Sequence, residues 1–422
     1  MNIGNRVVLF FKKNFYNLFF LSLFLIKIPP FYIFPFFKSS LLTTQSVASL
    51  ISFALFAHLV FRQIGGEEIH KKKDKVILAL FLVYFIFQSI SIFPASNTIS
   101  FLKQYKNLFF PGIFLFIAIY LKEKKEKIAL VFVYAAVFNF FYQFTMFFFP
   151  SFFTDVAGLF VPGAHLELVE INLGRGRVFV ETYDEASIPF IYYLFSRKKK
   201  KHLFLFVLLA MVAFPSLISN FRTRMLMLVF AFFSSFLFLS KRKISFKLSL
   251  ISIFLVFTLV SELVVRNISG FSFVDRFAFE DKREDVETVE QRILNINRSF
   301  DIGKAFPLTG VGLGNYYEYV STTKKHIFSL FQWISEESDT ASTNPHNIFA
   351  QMISETGIFS FLFYVGLLGY FAKDDLDKLK AKSQSIDKAF VVSFWTLFIY
   401  SVFNPTTTLA YNSLFWVIRG IL

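Results

Sequence analysis

The sequence predicts an all-α polytopic membrane protein of about twelve transmembrane helices, with a large external loop before the tenth. Three observations carry this. Of 422 residues, 55% are hydrophobic and 17% are charged, with a mean hydropathy of +0.56, which is too little charge to keep a soluble chain dispersed. Several apolar stretches reach the roughly 20 residues that cross a bilayer core. The 44 Lys and Arg outnumber the 29 Asp and Glu, and much of the excess sits in short clusters between apolar stretches. Cytoplasmic loops collect such clusters, so the net charge of +15 reports orientation. Soluble-enzyme and nucleic-acid-binding readings are set aside. Cys is absent, which excludes disulfides, thiolate metal sites and thiol nucleophiles.

The spans follow in order. Arg6, Lys12 and Lys13 precede an apolar run that continues to residue 36 through Pro29-Pro30. No small-residue cleavage site follows it, so it reads as a first span rather than a signal peptide. The second and third spans flank the loop Arg62 to Lys75, which holds Lys71, Lys72 and Lys73. The fourth ends at Lys122, before Lys124, Lys125 and Lys127, and the fifth covers Ile128 to Pro150. A polar stretch, Ser151 to Ser187, leads to a sixth span that ends at Arg197-Lys198-Lys199-Lys200-Lys201. A tight turn around Ser219-Asn220-Phe221-Arg222-Thr223-Arg224 joins spans seven and eight. Lys241, Arg242 and Lys243 follow, and a ninth span ends near Leu263. The hydrophilic segment Val264 to Asn347 precedes span ten; Lys373, Lys378, Lys380, Lys382 and Lys388 fill the loop after it, and two spans close the chain.

With the N-terminus inside, every Lys-rich cluster falls on the cytoplasmic set of loops. The chain therefore divides into spans one to nine (1–263, with a smaller external loop at 151–187), a large external loop (264–347) and spans ten to twelve (348–422). Long segments without strong hydrophobicity usually carry function, so the site is expected outside.

The outer cations are mostly arginines: Arg175, Arg177, Arg222, Arg224, Arg266, Arg276, Arg283, Arg292 and Arg298. A guanidinium is a planar fork of donors that grips phosphate and stays charged. The competing reading is ion pairing with the acidic run Glu280 to Glu290; Arg222 and Arg224 have no carboxylate nearby in sequence. Phe306 to Tyr316 contains Gly310, Gly312 and Gly314, a spacing suited to a structural turn or to close backbone approach. Asn344-Pro345-His346-Asn347 opens span ten, with Asn344 as cap, Pro345 at the first helical position and His346 in the first turn. The positive helix end disfavours imidazolium and leaves a neutral ring able to accept a proton. No His and carboxylate set shows metal-ligand spacing, and no cofactor is indicated.

These features, in this order, resemble the O-antigen ligase and polymerase superfamily of bacterial membrane glycosyltransferases, whose architecture is GT-C-like. The resemblance lies in Phe221-Arg222-Thr223, Arg292, the run Pro307 to Asn315, and Pro345-His346-Asn347 with Glu355-Thr356-Gly357 one helix length on. It covers about residues 203 to 372, and Arg177-Val178-Phe179-Val180-Glu181 is similar to the family's first large outer loop.

The resemblance implies a polyprenyl-diphosphate-linked glycan as donor and a multi-pass bacterial inner-membrane protein with its site on the periplasmic face. It implies Arg222 and Arg292 as diphosphate clamps and His346 as the base that activates the acceptor hydroxyl. Arg177, Arg224, Gly310, Gly312, Gly314, Asn347 and Glu355 would complete the substrate site. Fixed arginines stabilise the departing diphosphate where a metal would otherwise serve, and a single displacement inverts the anomeric carbon. The expected product is a polymer of O-antigen or related surface-polysaccharide repeat units, with a chain-length regulator as a candidate partner. The alternative is a ligase that passes the chain to a lipid A-core acceptor. A lipid-linked oligosaccharide flippase is the reading from another class. It fits less well, because charge concentrates on one outer face and the spans hold few ionisable residues, such as Lys27, Glu262, Glu355 and Arg419.

Overall fold

The computed structural model describes residues 3–33, 43–66, 72–162, 178, 180–195, 202–219, 221–239, 282–322, 345–380, 386–404 and 408–422, with scattered positions between 252 and 267. Arg175, Arg177, Arg276, Asn344, the clusters at 197–201 and 241–243, and most of the ninth expected span lie outside the described residues.

The fold is all-α, with no β-strand among the described residues. The helices are α1 (Ile3–Lys27), α2 (Thr44–Ile64), α3 (Lys72–Ile90), α4 (Thr98–Tyr120), α5 (Lys125–Phe148) and α6 (Pro150–Phe160). They continue as α7 (Ile188–Phe195), α8 (His202–Ile218), α9 (Arg222–Leu239), α10 (Lys282–Ala305) and α11 (Tyr316–Thr322). A four-residue α12 (Ile348–Gln351) passes through a π-helical turn, Met352–Thr356, into α13 (Gly357–Lys380), and α14 (Ile386–Phe403) and α15 (Leu409–Ile421) complete the fold. Among the described residues five helical stretches are long and apolar enough to cross a membrane. The chain is a multi-pass membrane protein, and the structure does not fix the expected number of spans.

Local sequence explains many helix starts. Thr43, Asn97 and Thr408 accept backbone N–H groups at the N-termini of α2, α4 and α15, satisfying donors that a helix leaves unpaired. Apolar side chains then decide the packing. α15 lies along α4, α1 along α2 and α9 along α14. Phenylalanines interlock where α14 meets α7 and α15: the rings of Phe190 and Phe390 are 4.6 Å apart, as are those of Phe394 and Phe415. Leu50, Phe53, Leu226 and Leu237 point outward, as lipid-facing residues must.

The two ends of the bundle differ. At one end, α4 finishes, α5 and α14 begin, and lysines pair with aspartates: Lys122 with Asp74 and Lys125 with Asp387. At the other, α4 begins and α14 finishes. There the loops meet, through bonds such as Val178 N to Ile218 O (3.1 Å) and Leu313 N to the Ser91 hydroxyl (3.2 Å).

One expectation from sequence is altered here. The polar stretch 151–187 begins as an apolar helix, α6, and its last part, Thr182 to Ser187, is buried between helices. Its polar residues find partners inside the bundle rather than water.

Candidate functional site

The start of α12 fixes His346. Asn347, not Asn344, caps the helix: its Oδ1 accepts from Phe349 N (2.8 Å) and Ala350 N (3.1 Å). Its Nδ2 donates to Val402 O at the end of α14 (2.8 Å), and this tertiary bond selects the cap. His346 is thus pushed out of the first turn into a left-handed backbone conformation, φ +52°. A non-glycine residue holds that conformation only where its surroundings impose it.

The half-buried imidazole titrates at about 4, lowered first by burial and then by the nearby Arg292 guanidinium. The expected neutrality holds, for a different reason: desolvation and Arg292 keep the ring neutral. Arg292 projects from α10, which packs against α12 and the π-helical turn, and is itself half-buried. Arg292 and His346 are therefore brought together from 54 residues apart (346 − 292).

The glycine run has a packing role. Val311 N donates to Ser354 O (2.9 Å), Gly312 N to Glu355 O (3.0 Å) and Ile358 N to Pro307 O (2.7 Å). The turn is laced onto the π-helical segment and absorbs carbonyls that a regular helix would use internally. Gly310 has φ +61°, and a Cβ there would lie 2.4 Å from the Glu355 carbonyl carbon, so backbone meets backbone. A Cβ at Gly312 would meet Ala95 at 2.7 Å, and one at Gly314 would meet the Gln104 side chain at 2.6 Å and the Ser100 carbonyl at 2.9 Å. Glu355 is buried. Its carboxylate receives the Gln351 amide (3.0 Å) and the backbone N–H groups of Gly314 and Tyr316.

At the tight turn the two arginines part. Arg222 opens α9 and is half-buried. Arg224, two residues on, is 3% exposed and points inward. Its Nε donates to Glu185 Oε1 (2.6 Å), and its Nη1 to Gln143 Oε1 (3.3 Å) and Val180 O (3.4 Å). It does not reach toward lipid headgroups; the partner absent from its sequence neighbourhood comes from 39 residues away.

A second buried group adjoins this one. Lys27 Nζ donates to Asp184 Oδ1 (2.8 Å) and Thr182 O (3.2 Å), Asn139 Nδ2 reaches the same Oδ1 (2.8 Å), and Thr182 donates to Oδ2 (2.6 Å). Beside it, Glu181 accepts from the hydroxyls of Tyr400 (3.1 Å) and Tyr183 (3.4 Å), and burial raises its carboxyl above the ordinary range. The interior of the bundle is therefore more charged than the spans suggest, yet Lys27, Arg224 and Arg419 all have acidic partners. Sequence reasoning missed Asn139, Gln143, Glu181 and Tyr400. A lysine ending an apolar run and the run Thr182-Tyr183-Asp184-Glu185 were the available signals.

The described residues hold no group of three or more His, Asp or Glu side chains able to bind a metal ion. In comparison with known proteins, residues 206–365 match the family model described as O-antigen ligase. That range contains Arg222, Arg224, Arg292, the glycine turn, His346, Asn347 and Glu355, and leaves out Lys27, Glu181, Asp184 and Glu185. No curated protein and no solved structure matches the chain.

Proposed function

With an O-antigen ligase family match over residues 206–365, we propose that the protein is a membrane glycosyltransferase that moves a glycan from a polyprenyl diphosphate to an acceptor hydroxyl. One observation carries this reading: a half-buried histidine, kept neutral beside an arginine, stands where helices α10, α12 and α14 meet. The acceptor oxygen attacks the anomeric carbon, its proton passes to His346, and the bond to the diphosphate oxygen breaks with its electron pair leaving on phosphate. Configuration inverts. Arg292 and Arg222 stabilise the departing charge, with no divalent metal required.

The low basicity of His346 belongs to the free site. A bound diphosphate offsets the Arg292 charge, raises the histidine pKa and strengthens the base when its proton acceptor is needed. The site opens on the periplasmic face of the inner membrane, opposite the lysine-bearing end.

The family description favours a ligase, acting on a lipid A-core or other final acceptor, over the polymerase that the sequence reading preferred. Purified protein given a lipid-linked donor and a lipid A-core acceptor should yield one glycan transfer per acceptor. A ladder of lengthening lipid-linked chains, with no transfer to lipid A-core, would return the assignment to polymerase. No transfer in either format, with folded protein, would overturn the glycosyltransferase reading.

A further inference from the structure

Like Glu181, Glu355 is held by neutral donors, and both differ from the deeply buried carboxylates Asp184, Glu185 and Asp375. Each of those meets a lysine or arginine, whereas none of the ion pairs among the described residues involves Glu355. Its partners are neutral donors: the Gln351 amide and the N–H groups of Gly314 and Tyr316. A buried carboxylate balanced by neutral groups alone is costly, and the cost is met either by a proton or by a positive charge placed beside it.

The space for one lies beside it. A cavity of about 30 Å³ has a polar wall of Glu355, Gln351, Gln88, Gln104, Asn107 and Asn412 and an apolar wall that includes Leu108, Leu313 and Ile348, with room for one or two water-sized occupants. On its polar side, the uncommitted groups are mainly oxygens. Gln88 commits its nitrogen to Ser360 Oγ (2.9 Å) and Met352 Sδ (3.2 Å), and Gln351 commits its nitrogen to Glu355. What these two amides still offer is carbonyl oxygen. Gln351 Oε1 is buried, with no hydrogen-bond partner, in a side chain only 7% exposed.

We propose that this cavity is a binding site for a monovalent cation of the size of Na⁺, held by the Glu355 carboxylate and the amide oxygens of Gln351 and its neighbours. A single carboxylate among neutral oxygens matches one positive charge; hard cations take such oxygen ligands, and a divalent ion draws on more carboxylates. The site joins α3 (Gln88), α4 (Gln104 and Asn107), the π-helical turn and α15 (Asn412). Through the four-residue α12 it braces the segment on which His346 stands. It is a structural ion, independent of the transfer chemistry.

The test needs no substrate. Thermal unfolding of the purified protein in detergent is followed in NaCl against choline chloride at equal ionic strength. Wild type should gain several degrees in Tm, saturably in Na⁺, and Glu355→Gln and Gln351→Leu should lose that gain. In parallel, radioactive sodium should bind the wild-type protein at one ion per chain, a measurement that does not depend on any variant folding. Equal Tm in the two salts together with no bound sodium would overturn the site and leave a protonated Glu355 beside water. Binding that persists in Glu355→Gln would place the ion elsewhere and overturn it as well.

Discussion

Two groups of charged side chains near the same end of the bundle are built on opposite terms. Lys27, Asp184, Glu185 and Arg224 are almost wholly removed from solvent and pair with one another. Arg222, Arg292 and His346 are only half-buried, and the arginine beside the histidine disfavours its protonated form. The first arrangement fastens helices. The second stands where solvent, and an arriving anion, can reach it. Arg222 and Arg224 show the contrast at closest range, since about 200° of helix rotation separates side chains two residues apart.

The largest effect should come from breaking the fastened group. Asp184→Ala strands the Lys27 ammonium in the interior, and removing one partner of a buried pair costs about 3–5 kcal/mol. Melting of the variant in detergent should fall sharply or folded protein should be lost. The double change Lys27→Met with Asp184→Leu should recover much of the difference, because apolar replacement of a buried pair is often tolerated. A single variant that melts like wild type would refute the fastening role.

The half-buried group should behave in reverse. Arg292→Ala should lower the transfer rate by about 10²–10³-fold while Tm hardly moves, the loss typical of one preorganised charge stabiliser. A matching fall in both activity and Tm would move Arg292 into the fastened group.

A pH profile sharpens the same contrast. The active form of His346 is the neutral ring, and its pKa of about 4 lies below the ordinary 6.5. For the free protein, kcat/KM should therefore hold from neutral pH downward and fall as pH drops through about 4. Arg292→Gln removes a neighbouring positive charge, so the acid limb should shift upward toward 6.5. The linkage has a matching sign. The unfolded chain protonates this histidine first, so its contribution to stability is present above 6.5 and is lost as pH falls toward 4. A limb that ignores Arg292→Gln would show that another group titrates.

How much of this was legible in the sequence depended on the range of the interaction. The all-α membrane class followed from composition, and the order Arg222, Arg292, glycine run and His346 pointed to the stretch that the family match covers. Partnerships across distance were not legible. Nothing local to Lys27 names Asp184, 157 residues on, as its partner. The helix start was ambiguous for a related reason: Asn344 and Asn347 both suit a cap, and the bond from Asn347 to Val402 O decides between them. The glycines were visible as a motif, but only the fold shows what fills the space they leave: the π-helical turn at Gly310, Ala95 at Gly312, and Gln104 with Ser100 at Gly314.

The smallest effect belongs to the lysine end. Lys122 and Asp74 pair with side chains 30% and 11% exposed, where water and salt screen the attraction. Lys122→Gln should change stability by about 0–1 kcal/mol, within the range of exposed pairs, and leave transfer untouched. Its role is collective. Lys122, Lys124, Lys125 and Lys127 form one cluster, and the bias that orients a membrane protein is counted over such clusters rather than single residues. Replacing all four by Gln should weaken the orientation of the neighbouring spans, read by reporter fusions after residue 127, even though no single replacement does. If Lys122→Gln alone costs as much as Asp184→Ala, charge that fastens and charge that orients are not distinct in this protein, and exposure is the wrong variable on which to sort its ion pairs.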